Sequence, residues 1–147
     1  MQACQMKKIL IMGLPGSGKT TLAQALKQAL EFKTTVEWLN ADAVREKYGD
    51  WDFSGQGRIR QSERMRDLSA QSPCKLVICD FVAPLKAMRD IFNADYVIWM
   101  HTIAQGRFAD TNAIFEQPDK YDLKIEAWNS NASVHHILED LSARAWI

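Results

Sequence analysis

A chain of 147 residues is about one domain's worth, which leaves no room for a second catalytic domain. Apolar residues make up 47% of it and charged residues 24%, a balance that excludes disorder and low complexity as dominant features. Eighteen Lys plus Arg offset eighteen Asp plus Glu, so no chain-wide field draws the protein to nucleic acid or membrane, and any anion site must be local.

Two lysines, Lys7 and Lys8, precede an apolar run of only four residues, Ile9 to Met12, too short for a signal-peptide core or a membrane span. No stretch of about 18 apolar residues occurs elsewhere, and a cytoplasmic location is expected. The run Ile9 to Met12, ended by Gly13, predicts a strand buried on both faces of a parallel sheet. From Thr20 to Leu30 the period becomes helical through Leu22, Ala25, Leu26 and Ala29. Val36 to Leu39 predicts a second strand, expected beside the first, and Asp42 to about Tyr48 a helix. Gly49 to Gly57 reads as a loop, and Arg58 to Ala70 as a helix stopped by Ser72-Pro73. Leu76 to Cys79, ending in Asp80, and Tyr96 to Met100 predict two more strands, the last after a short segment led by Pro84. Residues 101–119 lose periodicity and read as a long loop or lid. Val134, Ile137, Leu138 and Leu141 predict a closing amphipathic helix with Ser133 as its N-cap. Cys4, Cys74 and Cys79 follow no pairing or metal-ligand pattern, as in a reduced intracellular protein. Strands alternating with helices predict a single α/β domain over residues 1–147 with a mostly parallel sheet.

Gly13-Leu14-Pro15-Gly16-Ser17-Gly18-Lys19-Thr20 satisfies G-x-x-x-x-G-K-[ST] between a predicted strand and a predicted helix, the context that pattern requires. The glycines let the backbone N–H groups converge on one anion, and the positive end of the helix adds to the field. Lys19 would reach the β- and γ-phosphates of ATP, and Thr20 would place its hydroxyl on Mg²⁺. ATP is favoured over GTP because no N-K-x-D guanine-reading tetrad occurs. This loop specifies the α/β class further as the P-loop NTPase three-layer sandwich, a sheet flanked by helices. Asp80 closes a buried strand at the end where such sheets bind ligands, and could hold Mg²⁺ through a water or cap the next segment.

A phosphoryl-transfer enzyme needs a carboxylate to orient or deprotonate the attacking hydroxyl and cations to hold an anionic acceptor. Asp42 and Arg45 begin the helix after the second strand. Arg58, Arg60, Arg64 and Arg66 crowd into nine residues, either as phosphate contacts or as a solvated face paired with Glu63 and Asp67.

Here the chain resembles the adenylylsulfate kinase family, P-loop enzymes that phosphorylate the 3′-hydroxyl of adenosine 5′-phosphosulfate. The resembling residues are Gly13 to Thr21, Ala41-Asp-Ala-Val-Arg45, Phe53-Ser54 with Arg58 and Gln61, and Phe81-Val82-Ala83-Pro84 with Arg89. The resemblance implies that Gly13 to Thr21 binds ATP and that Asp42 stands near the transferred phosphoryl group. It implies that Arg45 and Arg58 hold the acceptor's phosphosulfate end, that Gln61 stands for the usual Asn, and that Phe53 packs on the acceptor adenine. The backbone from Phe81 to Leu85 would line that pocket, and Phe92 falls near a second stacking aromatic or belongs to the core. Asn40 replaces a frequent Asp, Gly57 the Asp before the key arginine, and Ala83 a frequent Ser, while Asp80 stands where many members lack a carboxylate. The lid signature R-D-x-K-G-x-Y is absent, which leaves Arg107 as the lid cation proposed for the γ-phosphate. Tyr121, Trp128 and Trp146 read as packing residues. The expected partners are ATP, Mg²⁺ and a small anionic acceptor, with no membrane. A nucleotide or a polynucleotide 5′-end is the alternative acceptor, a non-catalytic ATP-binding protein the other alternative, and a homodimer is compatible with either.

Overall fold

Alternation along the first strand divides the molecule into two cores. In the computed structural model, which describes residues 5–147, Lys7–Gly13 forms β1. Met1 to Cys4, with the first of the three cysteines, lie outside the described residues. Ile9 and Ile11 point to one face of the sheet and Leu10 and Met12 to the other, as a period of two requires. The chain then runs α1 (Lys19–Leu30), β2 (Val36–Asn40), α2 (Ala41–Tyr48), α3 (Gly55–Ala70), β3 (Leu76–Asp80), α4 (Lys86–Phe92), β4 (Tyr96–Met100), α5 (Ala109–Ile114), β5 (Leu123–Ile125) and α6 (Ser130–Ala143). All five strands are parallel, in the order β2-β3-β1-β4-β5. The second strand therefore pairs with β3, not with β1 as expected: β3 lies between them, with Asn40 in register with Asp80 and Asp80 with Ile11.

On one face, Leu22, Leu26 and Leu30 of α1 and Ile137 and Leu141 of α6 pack on Ile9, Ile11, Ile78 and Ile98. On the other, Met65 of α3 and Met88 and Phe92 of α4 pack on Leu10, Met12, Val77 and Cys79. Phe92 is fully buried and meets Phe81 edge-on at 5.5 Å, so it belongs to the core and is no stacking platform. Cys79 is a buried thiol held 3.2 Å from Ser69 Oγ, and burial pushes its pKa up to about 12. Among the described residues, no helix is long and apolar enough to cross a membrane.

Local chemistry accounts for the shifted boundaries. Helix α3 starts three residues before Arg58 because Ser54 Oγ accepts the Gly57 N–H at 3.2 Å, a cap that outweighs two poor helix formers. Helix α6 is capped by Asn129, which accepts from Ala132 N–H at 3.1 Å. Ser133, the expected cap, lies inside the helix and bonds back to the Asn129 carbonyl. The short α4 and the three-residue β5 carry too few residues for a readable period.

Leu26 is fully buried between α1, α6 and the sheet. Leu26→Ala should cost about 3 kcal/mol of stability through lost burial and the cavity left behind. Urea unfolding should show a lower midpoint with an unchanged slope.

Candidate active site

The turn from β1 into α1 is built on left-handed backbone. Gly13, Gly16 and Gly18 have φ of 153°, 88° and 100°. A Cβ on Gly13 would lie 2.6 Å from the Met100 carbonyl oxygen and 2.7 Å from Ser17 Oγ, so only glycine lets the loop press against β4. Thr102 Oγ1 donates to the Ser17 carbonyl at 2.7 Å and ties the loop to the segment after β4. No side chain caps α1, so its first-turn N–H groups remain for an anion at the cleft. Lys19 Nζ curls back to the Leu14 carbonyl at 3.0 Å. Burial lowers its pKa to about 8, opposed by Asp80 and Asp42 and assisted by Arg107.

Beside the loop, Asp80 ends β3 almost fully buried, accepting from Asn40 Nδ2 at 2.8 Å and from Trp38 Nε1 at 3.2 Å. Burial raises its pKa to about 6 against those two hydrogen bonds and Lys19. Asn40 Nδ2 also lies 3.4 Å from Thr20 Oγ1, and Asn40 Oδ1 caps α2 through the Ala43 N–H at 2.9 Å. Among the described residues, no three His, Cys, Asp or Glu side chains form a metal cage. Thr20 and Asp80 supply hard oxygen donors but an incomplete set, the form a Mg²⁺ site takes when phosphates complete the shell; the residues present fit that ion.

Opposite the loop, α2 presents exposed Asp42 and buried Arg45. Arg45 Nη1 donates to the carbonyls of Asp50 and Asp52 at 3.1 and 3.2 Å, and its guanidinium lies 4.3 Å from the Phe53 ring centre. Arg58 Nε donates to the Phe53 carbonyl at 2.9 Å, with its guanidinium 5.5 Å from the same ring. Each guanidinium keeps further N–H groups beyond those bonds. Gln61 is buried, donating to the Ala41 carbonyl at 3.1 Å and accepting from Arg64 at 2.8 Å. Ala83 takes a left-handed φ of 46°, unusual for a residue with a Cβ, and Arg89 braces it by donating to the Ala83 and Pro84 carbonyls at 2.9 and 3.2 Å and to the Glu116 carbonyl.

One cleft of about 780 Å³ joins these parts. Of the sequence-predicted residues, Pro15, Gly16, Gly18 to Thr21, Asp42, Arg45, Phe53, Arg58, Gln61, Asp80, Phe81 to Pro84 and Arg107 all line it. Gly13, Leu14 and Ser17 are buried behind the loop and shape it from below. His101 stacks on Trp99 at 4.5 Å and does not line the cleft. The segment 101–119 is not wholly a loop: it contains α5, and Asn112 closes Gly106 with two reciprocal 2.8 Å hydrogen bonds. Trp128 is not the packing residue its sequence context suggests. It is exposed, lines the cleft, and its ring occupies the place of a Cβ on Gly18, 1.9 Å from that position. Trp51, Phe108 and Asn40 also line the cleft. Of these three, only Asn40 carries a sequence signal, its place beside Asp42.

A parallel sheet with a lysine-bearing phosphate loop at its carboxyl end and a carboxylate and arginines across one cleft defines a P-loop phosphotransferase fold. The adenylylsulphate kinase family model matches residues 5–103, and the chain belongs to that family, whose members are ATP-dependent phosphotransferases. Cytidine diphosphoramidate kinase of Campylobacter jejuni is 44% identical over 52 residues, covering 35% of this chain and 31% of that protein. A probable adenylyl-sulfate kinase of Aeropyrum pernix is 35% identical over 88 residues, covering 56% of this chain and 48% of that protein. The chain thus spans less than half the length of either relative. The APS kinase CysC of Mycobacterium tuberculosis, solved with AMPPNP and APS, superposes with a TM-score of 0.81 over 95% of this chain and 99% of that one, at 17% identity, a likeness of fold.

With its pKa near 8, about half of Lys19 is neutral at pH 8 in the free protein, and a phosphate bound beside it would draw it back to the ammonium. ATP binding should therefore take up protons increasingly as pH rises from about 7 to 8.5. Calorimetry in two buffers of different ionisation enthalpy should show this, and Lys19→Arg should abolish the pH dependence.

Proposed function

We propose that this protein transfers the γ-phosphoryl group of ATP to a hydroxyl of a nucleotide-like anionic acceptor, adenosine 5′-phosphosulfate first among them. The observation that carries the reading is the cleft itself, with Lys19 and the phosphate loop at one end, Arg45 and Arg58 at the other, and Asp42 lining the wall between. In this reading Gly16, Gly18, Thr21 and the α1 N-terminus hold the ATP phosphates, and Lys19 neutralises the β- and γ-oxygens. Thr20 and Asp80 would hold Mg²⁺, which when bound supplies charge neutralisation between the phosphates. Asp42 accepts the acceptor hydroxyl's proton or orients that hydroxyl toward the γ-phosphorus. The spare N–H groups of Arg45 and Arg58 clamp the acceptor's anionic end, and Phe53, close to both guanidiniums yet half-exposed, offers its free ring surface to the base. Arg107 is the cation that reaches the γ-phosphate from the lid.

A second acceptor, a cytidine diphosphate derivative, is favoured by the relative that is 44% identical over 52 residues. Both candidates are nucleosides with a two-centre anionic group at the 5′ position, which suits two adjacent guanidiniums. A polynucleotide 5′-end loses support, because Arg60, Arg64 and Arg66 are paired with Asp50, Asp52 and Asp67.

The test is a radiolabelled ATP assay against adenosine phosphosulfate, cytidine diphosphate derivatives and single-stranded oligonucleotides in parallel. Asp42→Asn should lower kcat by about 100-fold or more with ATP affinity unchanged. An unchanged rate in that variant removes Asp42 from the mechanism. Arg58→Ala should raise the acceptor KM by about tenfold or more while leaving ATP affinity in place.

A further inference from the structure

Asp50 and Asp52 flank Trp51 on the loop that carries Phe53, and both reach across to α3. Asp50 accepts from Arg60 through Nε at 2.8 Å and Nη2 at 3.1 Å, and from Arg64 Nη2 at 2.8 Å. It also accepts the Asp52 N–H at 3.2 Å. Asp52 accepts from Arg60 Nη2 at 3.1 Å and from the Ser54 N–H at 2.9 Å. Those hydrogen bonds hold both carboxyls below the usual carboxylate range, so they stay charged near neutrality.

The loop fixed by these bonds supplies every carbonyl that orients the two acceptor-side arginines. Asp50 and Asp52 carbonyls hold Arg45, and the Phe53 carbonyl holds Arg58. Arg64 in addition steadies Gln61 from behind at 2.8 Å. The loop seats in a notch that only glycine leaves open: a Cβ on Gly57 would lie 2.2 Å from the Asp52 carbonyl oxygen and 2.5 Å from its carboxyl carbon. Asp52 thus occupies the space of a side chain at position 57.

We propose that Asp50, Asp52, Arg60 and Arg64 form an ion-pair clamp that positions the acceptor loop, setting Phe53, Arg45 and Arg58 for the acceptor without touching it. The proposal rests on reading the Arg45 and Arg58 end of the cleft as the acceptor pocket. Isolated exposed ion pairs hold little, but here two carboxylates share two guanidiniums with a bidentate contact, and each bond restrains the same loop between α2 and α3. The four side chains lie outside the cleft lining, so they act through the loop backbone.

The test compares wild type with Asp50→Asn, Asp50→Glu, Gly57→Ala and Arg58→Ala, using adenosine 5′-phosphosulfate and cytidine 5′-diphosphate as acceptor probes at saturating ATP. Asp50→Asn should raise acceptor KM about fivefold or more, with kcat and ATP affinity within about twofold and thermal midpoint nearly unchanged. Gly57→Ala, whose Cβ must push the Asp52 backbone aside, should raise it likewise with ATP affinity kept and a lower thermal midpoint. Asp50→Glu, which keeps the charge, should recover most of the affinity. Amide exchange in the unliganded Asp50→Asn protein should quicken across residues 50–57 and stay unchanged in α1, a readout that needs no acceptor. Unaltered exchange, or a KM rise matched by equal loss of ATP affinity and of thermal midpoint, overturns the clamp. An unchanged KM in Asp50→Asn beside a raised KM in Arg58→Ala overturns the clamp alone, whereas an unchanged KM in Arg58→Ala overturns the pocket reading.

Discussion

The left-handed turn between β1 and α1 is the fixed point from which the site is laid out. β1 lies at the middle of the sheet, and because every strand is parallel, all strand ends that approach the phosphate loop do so from one edge. Gly13 can sit against Met100 only without a side chain, and Ser17 is held by Thr102, so the loop is positioned from the β4 side. From the β3 side comes Asp80, and one strand further out comes Asn40, brought to Asp80 by parallel register. The chain after β5 lays Trp128 over Gly18. Strand order, more than sequence proximity, decides which side chains share the cleft.

That dependence on strand order separates what is legible along the chain from what is not. Of the four longer strands β1, β3 and β4 contain continuous apolar runs and β2 an apolar segment broken by Glu37, and the loop after β1 has a spacing that only one chemistry requires, so all are legible from residue order alone. Asp42, Arg45 and Arg58 are legible through their motif, and the fold brings them to one wall. Trp128 is not, because an exposed tryptophan and a packing tryptophan look alike until the fold sets one over a glycine. The placement of β2 beside β3 is also hidden, since nothing local specifies a neighbour two elements away. The roles of Asp50 and Asp52 depend on the reach of side chains across to α3, which no periodicity reports.

At two departures from the family pattern the structure shows which neighbour answers the changed residue. Asn40 stands where the family often has Asp, and Asp80 where many members have no carboxylate. The two are register partners joined at 2.8 Å, so a single carboxylate stands at this point, on β3. Two carboxylates at that separation would repel in a buried setting that already raises the pKa of one. Asn at position 40 avoids that repulsion and still donates to Asp80 while capping α2. Gly57 and Asp52 make a parallel case: the side chain absent from 57 is the condition for the Asp52 carbonyl and carboxyl to enter its space.

The distribution of charge then bears on the acceptor proposed for the cleft. The chain is neutral overall, and of the four arginines between 58 and 66, three are matched by carboxylates in bonds of 2.8 to 3.1 Å. A long polyanion laid along α3 would have to displace Asp50 from two guanidiniums at once, and with it the loop that orients Arg45. Only Arg45 and Arg58 remain turned to the cleft on this side, close to one aromatic ring. In the proposed reading, two planar cations beside one ring suit a ligand with a compact anionic group and a single base. On this side of the cleft the guanidiniums left without an ion pair among the described residues are thus Arg45 and Arg58, and in the proposed reading their joint field suits one small anion better than a chain of phosphates.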